Sequence, residues 1–103
     1  MYMNILKTDN DIVKEISSYP KPNWIWVEIW KMSICEIQIV ITINKEESCH
    51  LAEHKVLHIC SANPDIKEDI MELKNYGKRI VRLIRKNFPN SKVHSRLYYR
   101  CMT

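Results

Sequence analysis

Residues 24–44, WIWVEIWKMSICEIQIVITIN, decide the fold. Side chains on a strand alternate between two faces, and this stretch divides in two on that rule. In its first half Ile25, Val27 and Ile29 share one side, while Trp24, Trp26, Glu28 and Trp30 share the other. In its second half Cys35, Ile37, Ile39, Ile41 and Ile43 fall together, opposite Ile34, Glu36, Gln38, Val40, Thr42 and Asn44. An antiparallel hairpin that pairs Ile29 with Cys35, Val27 with Ile37 and Ile25 with Ile39 keeps the aliphatic side chains together. It leaves Lys31, Met32 and Ser33 as a three-residue turn and sets Glu28 opposite Glu36. One face is then a β-branched core layer. The other carries three tryptophans, two carboxylates and polar side chains.

Upstream of the hairpin, Thr8 and Asp11 form a variant of the capping box, and Ile12, Val13 and Ile16 recur at helical spacing, which predicts a helix over 9–18. Ile5 and Leu6 supply a short strand or a staple onto that helix, and Pro20 and Pro22 end it. Downstream, the polar run 45–48 is a turn. Residues 49–60 can be written as a helix with Cys49, Ala52, Val56 and Ile59 as its stripe. The short apolar run Val-Leu-His-Ile-Cys, closed by turn residues, favours a strand over 55–60.

Asn63 followed by Pro64 is a helix start. Ile66, Ile70, Leu73, Gly77, Ile80, Ile84 and Phe88 then mark one buried face over about six turns. Gly77 costs about 1 kcal/mol relative to alanine inside a helix, so its presence there points to a close approach. Residues 89–91 stop the helix, and 92–101 alternate again as a last strand. The order is α-β-β-β-α-β over a single domain, 1–103. An α+β fold is expected, with an antiparallel sheet of three to four strands and the helices packed on one face. In topology alone the order resembles the double-stranded RNA-binding fold. Here, however, the second helix opens on Pro64-Asp65-Ile66-Lys67-Glu68-Asp69 and the first hairpin turn is Lys31-Met32-Ser33. The residues with which that family holds RNA have no counterparts, so its function does not carry over.

The chain has 103 residues, 46% of them hydrophobic and 27% charged, the balance of a globular protein with one core. A single glycine excludes the glycine-rich loops that cradle phosphates. Glu28, Lys31, Glu36 and Gln38 make the apolar stretch too polar and too alternating for a membrane helix, and no membrane partner is expected. The amino terminus has none of the three regions of a secretory signal, so a cytoplasmic location is expected. Cys35, Cys49, Cys60 and Cys101 form no C-x-x-C pair and are expected to be reduced thiols.

Charge is divided along the chain. Residues 1–73 hold all twelve acids against seven lysines, whereas 74–103 hold nine bases and no acid.

Four groups of residues merit weighing as sites. Trp24, Trp26 and Trp30 cannot all face one helix layer together with Ile25, Val27 and Ile29, which makes their face a candidate binding surface. Glu28 and Glu36, if opposite, are a candidate acid–base or cation pair. The simpler expectation is that Arg96, Arg100 or nearby lysines neutralise them. Cys49, His50, His54, His58 and Cys60 offer zinc-ligand chemistry at a spacing that fits no standard zinc motif, so a solvated histidine face is expected and no metal. Lys74, Lys78, Arg82, Arg85 and Lys86, extended by Arg96 and Arg100 with Tyr98 for stacking, are a candidate phosphate-contacting patch. Acids at the start of that helix and bases at its end also match the helix dipole.

No catalytic residue, cofactor or metal is expected. The leading expectation is a small non-enzymatic inhibitor of the immunity, antitoxin or counter-defence kind. It would block a partner enzyme, such as a nuclease toxin, through Trp24, Trp26, Glu28, Trp30 and Glu36. The alternative is an RNA- or DNA-binding module that uses Lys74, Lys78, Arg82, Arg85, Lys86, Arg96 and Arg100. A metal-assisted hydrolase or nuclease around Glu28, Glu36 and the histidines ranks third.

Overall fold

The computed structural model describes residues 3–19, 22–44 and 54–101, the last three of these by backbone alone. The elements run β1 (Asn4–Ile5), α1 (Asp9–Ser18), β2 (Trp24–Ser33), β3 (Glu36–Asn44), β4 (His54–Ala62), α2 (Lys67–Asn87) and β5 (Lys92–Cys101). They form an α+β fold with one five-stranded sheet in the order β1-β4-β3-β2-β5. The expected three-strand meander is its centre. The short strand considered for Ile5 and Leu6 forms as β1, an edge strand on β4 that the expected order did not count, and β5 pairs parallel with β2, so the sheet is mixed rather than antiparallel. The direction of β5 follows from counting reversals. β2, β3 and β4 alternate and α2 returns the chain, so β5 runs with β2, and a parallel pair needs such a crossover.

The hairpin register also differs. Ile29 pairs with Ile39, Val27 with Ile41 and Ile25 with Ile43, and the turn is Ile34-Cys35 with an irregularity between Lys31 and Ser33. The shift is an even number of residues, so the aliphatic face is unchanged. It gives Ile41 and Ile43 partners that the expected register left overhanging. It also separates the two carboxylates: Glu28 now faces Val40, and Glu36 faces Ser33.

All seven inward aliphatic residues of the hairpin, from Ile25 to Ile43, are fully buried, with Leu57, Ile59 and Cys60 beside them. Both helices cover this face. Ile12 and Ile16 of α1 and Leu73, Ile80, Val81 and Ile84 of α2 join the same core. The predicted capping box of α1 forms: the Asp11 N–H donates to Thr8 Oγ1 and the Thr8 N–H to Asp11 Oδ2, each at 3.2 Å. α2 begins three residues later than expected. The Asn63 side chain instead accepts the Asp65 N–H at 2.9 Å, making an Asx turn with Pro64, and Ile66 stands at the N-cap. Gly77 is the close approach its position implied. A Cβ there would stand 2.8 Å from Leu97 Cδ2 and 3.4 Å from Ile39 Cδ1, so α2 rests on β5 and β3 at this point.

Arg79 ties the two helices together through bonds of 2.6 and 2.9 Å to Asp9, and its guanidinium lies over the Tyr76 ring. The Arg79 hydrogen bond lowers the Asp9 carboxyl below its ordinary value. With both side chains more than 40% exposed, the pair contributes at most about 1 kcal/mol. That contribution is present above the ordinary aspartate range and fades as pH falls through the lowered value. Burial pushes the Cys60 thiol up to about 12, whereas Cys35 is exposed at the hairpin tip; both are free.

Candidate functional site

With both helices on the aliphatic face, the opposite face of the sheet presents the outward residues of β2, β3, β4 and β5. Parallel pairing sets Lys92 beside Trp24, His94 beside Trp26 and Arg96 beside Glu28. Their side chains interleave. The His94 ring stacks on Trp24 (centroids 5.1 Å apart, planes at 10°) and on Trp26 (4.5 Å, 23°). Lys92 Nζ lies 4.6 Å from the Trp24 ring centre, and the Arg96 guanidinium carbon lies 5.0 Å from that of Trp26. Alternate side chains of one strand are about 6.6 Å apart, so the two β5 residues that touch each indole stand on opposite sides of it. The result is a ladder in the order Lys92, Trp24, His94, Trp26, Arg96. Each cation–π contact contributes about 0.5–1 kcal/mol when exposed and each ring stack about 0.5–1.5 kcal/mol. His94 Nε2 is enclosed without a hydrogen-bond partner among the described residues.

Next to the ladder the face sinks into a depression of about 420 Å³. Trp26, Trp30 and Val56 give it apolar walls, Thr42 and Asn44 line it from β3, and Arg96 and His54 stand on either side. Glu28 also contributes to the lining, yet it is only 7% exposed and belongs to the sheet more than to the surface. Farther along β3 the polar residues are committed to one another. Gln38 Nε2 donates to Glu36 Oε2 at 3.1 Å, and Gln38 Oε1 lies 2.6 Å from His58 Nδ1. Since the amide nitrogen is turned to the carboxylate, its oxygen faces His58, and Nδ1 carries the donated hydrogen.

The chain matches no protein-family model, no curated protein and no solved structure. The functional reading therefore rests on the geometry of this face.

The tryptophan face and part of the basic set, expected to be separate sites, come together. Trp24, Trp26, Glu28 and Trp30 share a face with Arg96, and Arg100 falls opposite Trp30 in the strand register. Glu36 lies toward the hairpin tip and does not face Glu28, so the carboxylate pair weighed as an acid–base or cation site is not formed. The remaining bases are elsewhere. Lys78, Arg82 and Lys86 lie on the exposed side of α2, across the sheet from Trp26, with Lys74 on its flank. Arg85 turns to the sheet edge, where Nη2 donates to the Val93 carbonyl at 3.3 Å. The seven basic positions are thus two surfaces rather than one patch.

Among the described residues, no group of three or more His, Cys, Asp or Glu side chains is placed to hold a metal ion. Cys49 and His50, and the turn expected at 45–48, lie outside the described residues. No helix among the described residues is long and apolar enough to cross a membrane. Lys92, His94, Thr42, Asn44 and Val56 are site residues that pattern reading missed. The alternation of Lys92, His94 and Arg96 with Val93 and Leu97 was the available signal, but not which strand they would lie beside.

Proposed function

We propose that this protein acts without catalysis, as a small inhibitor of the immunity, antitoxin or counter-defence kind that occupies a partner enzyme through the open sheet face. The observation that carries this reading is the gathering of Trp26, Trp30 and Arg96 around one depression on a face that neither helix covers. Tryptophan and arginine are the residues that most often dominate interface energetics, above all where they surround a pocket near the centre of a contact. The scaffold is a rigid sheet, and the ladder holds its side chains in place before any contact, which limits the entropy lost on binding. The sign of the face refines the partner. Arg96 beside the depression and Lys92 along the ladder are exposed, while Glu28 is buried and Glu36 lies toward the hairpin tip bonded to Gln38, so an acidic partner surface suits the region of the depression better than the basic cleft of a nuclease does.

A second reading, binding to RNA or DNA, is favoured by one separate observation: Lys78, Arg82 and Lys86 form an exposed row on α2 with no acid after Glu72. It predicts binding that weakens steeply with salt.

Affinity capture of the full chain from its host lysate, with and without nuclease, separates the two. We expect one stoichiometric protein that survives nuclease, is retained by the Arg82→Glu/Lys86→Glu chain and is lost with Trp26→Ala/Trp30→Ala. Recovery that nuclease abolishes, or that the helix variant loses while the tryptophan variant keeps it, overturns the inhibitor reading.

A further inference from the structure

Resting on the docking role proposed for this face, we infer that the element it receives is an acidic segment of a protein carrying one large apolar side chain. The apolar group enters the depression between Trp26, Trp30 and Val56, and the flanking carboxylates meet Arg96 at its rim and, farther along the ladder beyond Trp24, Lys92.

Three features of the face select this chemistry. The first is the way the two cations are held. Arg96 and Lys92 lie on indole rings, and among the described residues neither has a carboxylate partner. A guanidinium stacked on a ring keeps its N–H donors in its own plane, where they remain free to grip a carboxylate in bidentate fashion. The second is the gradient of polarity across the depression. Its walls between Trp26, Trp30 and Val56 are apolar, so a charge placed there would lose its solvation, whereas Arg96 stands at the rim. A negative group is therefore disfavoured deep in the site and favoured at the rim, which is the reverse of a pocket built for an anion. The third is the state of the rings. Trp24 and Trp26 each have a β5 side chain on both sides, so neither offers a free face on which a nucleobase stacks. The dense basic row of α2, which a phosphate backbone would seek, lies across the sheet. A protein segment satisfies all three features, whereas a nucleic acid satisfies the first and is left Trp30, outside the ladder, as the ring of this face on which to stack. The side-chain amide of Asn44, which faces the depression with no partner among the described residues, is placed to bond the backbone of the incoming segment.

The test titrates the full-length, isotope-labelled chain with four probes while amide and indole N–H resonances are followed. The probes are the blocked peptides EDEFEDE, EDEAEDE and KRKFKRK, and oligouridylate. EDEFEDE is expected to give saturable shifts centred on Trp30, Thr42 and Val56. EDEAEDE and KRKFKRK bind at least about ten-fold more weakly, a difference of about 1.4 kcal/mol. Arg96→Glu, an exposed change that leaves the core intact, is expected to lose EDEFEDE and gain KRKFKRK. Because the charge swap turns a loss into a gain, simple misfolding cannot mimic it. Equal response to the acidic and basic peptides, shifts located elsewhere, or no saturable response overturns the inference. Tighter binding of oligouridylate at Trp30 and Val56 overturns it in favour of nucleic acid. If these probes fail while a captured protein partner still depends on Trp30, the docking role stands and only its chemistry is wrong; if that dependence fails too, both fall.

Discussion

Replacing Ile41 with alanine is expected to lower the free energy of unfolding by about 2–5 kcal/mol. Ile41 is fully buried at the middle of the central strand, paired with Val27 on one side and Leu57 on the other. Removing three methyl-sized groups leaves a space inside the core that the sheet and both helices build together, so the surroundings cannot collapse into it without moving close-packed neighbours. A domain of this size has about 5–15 kcal/mol in total, so the loss is a large share of it. Thr42→Ala, one residue along and on the other face, is expected to change stability by no more than about 0.5 kcal/mol. Urea unfolding of the two variants checks this. The midpoint should fall sharply for Ile41→Ala, at unchanged slope, and barely move for Thr42→Ala. Comparable losses from the two would mean that the open face is packed like the core, and the account of the sheet as one-sided would be wrong.

Trp30→Ala is expected to weaken binding of the partner by roughly 30-fold or more, the loss that marks an interface hot spot of about 2 kcal/mol. The fold should remain. Trp30 is half-buried on the open face and stands at the wall of the depression, outside the ladder that binds Trp24 and Trp26 to β5. Removing it widens the depression and takes away the apolar wall opposite Trp26, while the aliphatic core is untouched. Trp26→Ala is the less clean change because it also removes the ring between His94 and Arg96. Binding measured calorimetrically against the captured partner, with thermal unfolding of the same samples, separates the two effects. A normal affinity in a folded Trp30→Ala chain would exclude this wall of the site.

Most of the helices, the strands and the composition of both sheet faces were legible in the chain, because period two in 24–44 and period near four in 66–88 report burial directly. The register was not. A shift of four residues preserves every inward side chain, so hydrophobic pattern cannot distinguish Ile29 opposite Cys35 from Ile29 opposite Ile39. The choice is made by the turn, where Ser33 Oγ accepts the Cys35 N–H at 3.2 Å, and by the pairing of Ile41 and Ile43. The place of β5 was likewise illegible. Alternation identifies a strand but not its neighbour, and the ladder exists only because β5 crosses to the far edge beside β2. The burial of Asp69 in the first turn of α2 had no signal either, since its neighbours Glu68 and Glu72 are exposed. The sequence pattern therefore separates an aromatic face from a basic patch, and only the topology sets Trp24 and Trp26 against the β5 side chains, with Trp26 and Arg96 beside the depression.

The most direct test of the open-face account is side-chain footprinting by hydroxyl radicals, comparing the free protein with its complex with the captured partner. The account predicts that Trp30 and Val56 lose reactivity in the complex while Met71 and Leu83 on α2 keep theirs. Protection of the α2 residues with Trp30 unchanged would contradict it and place the working surface on the helix.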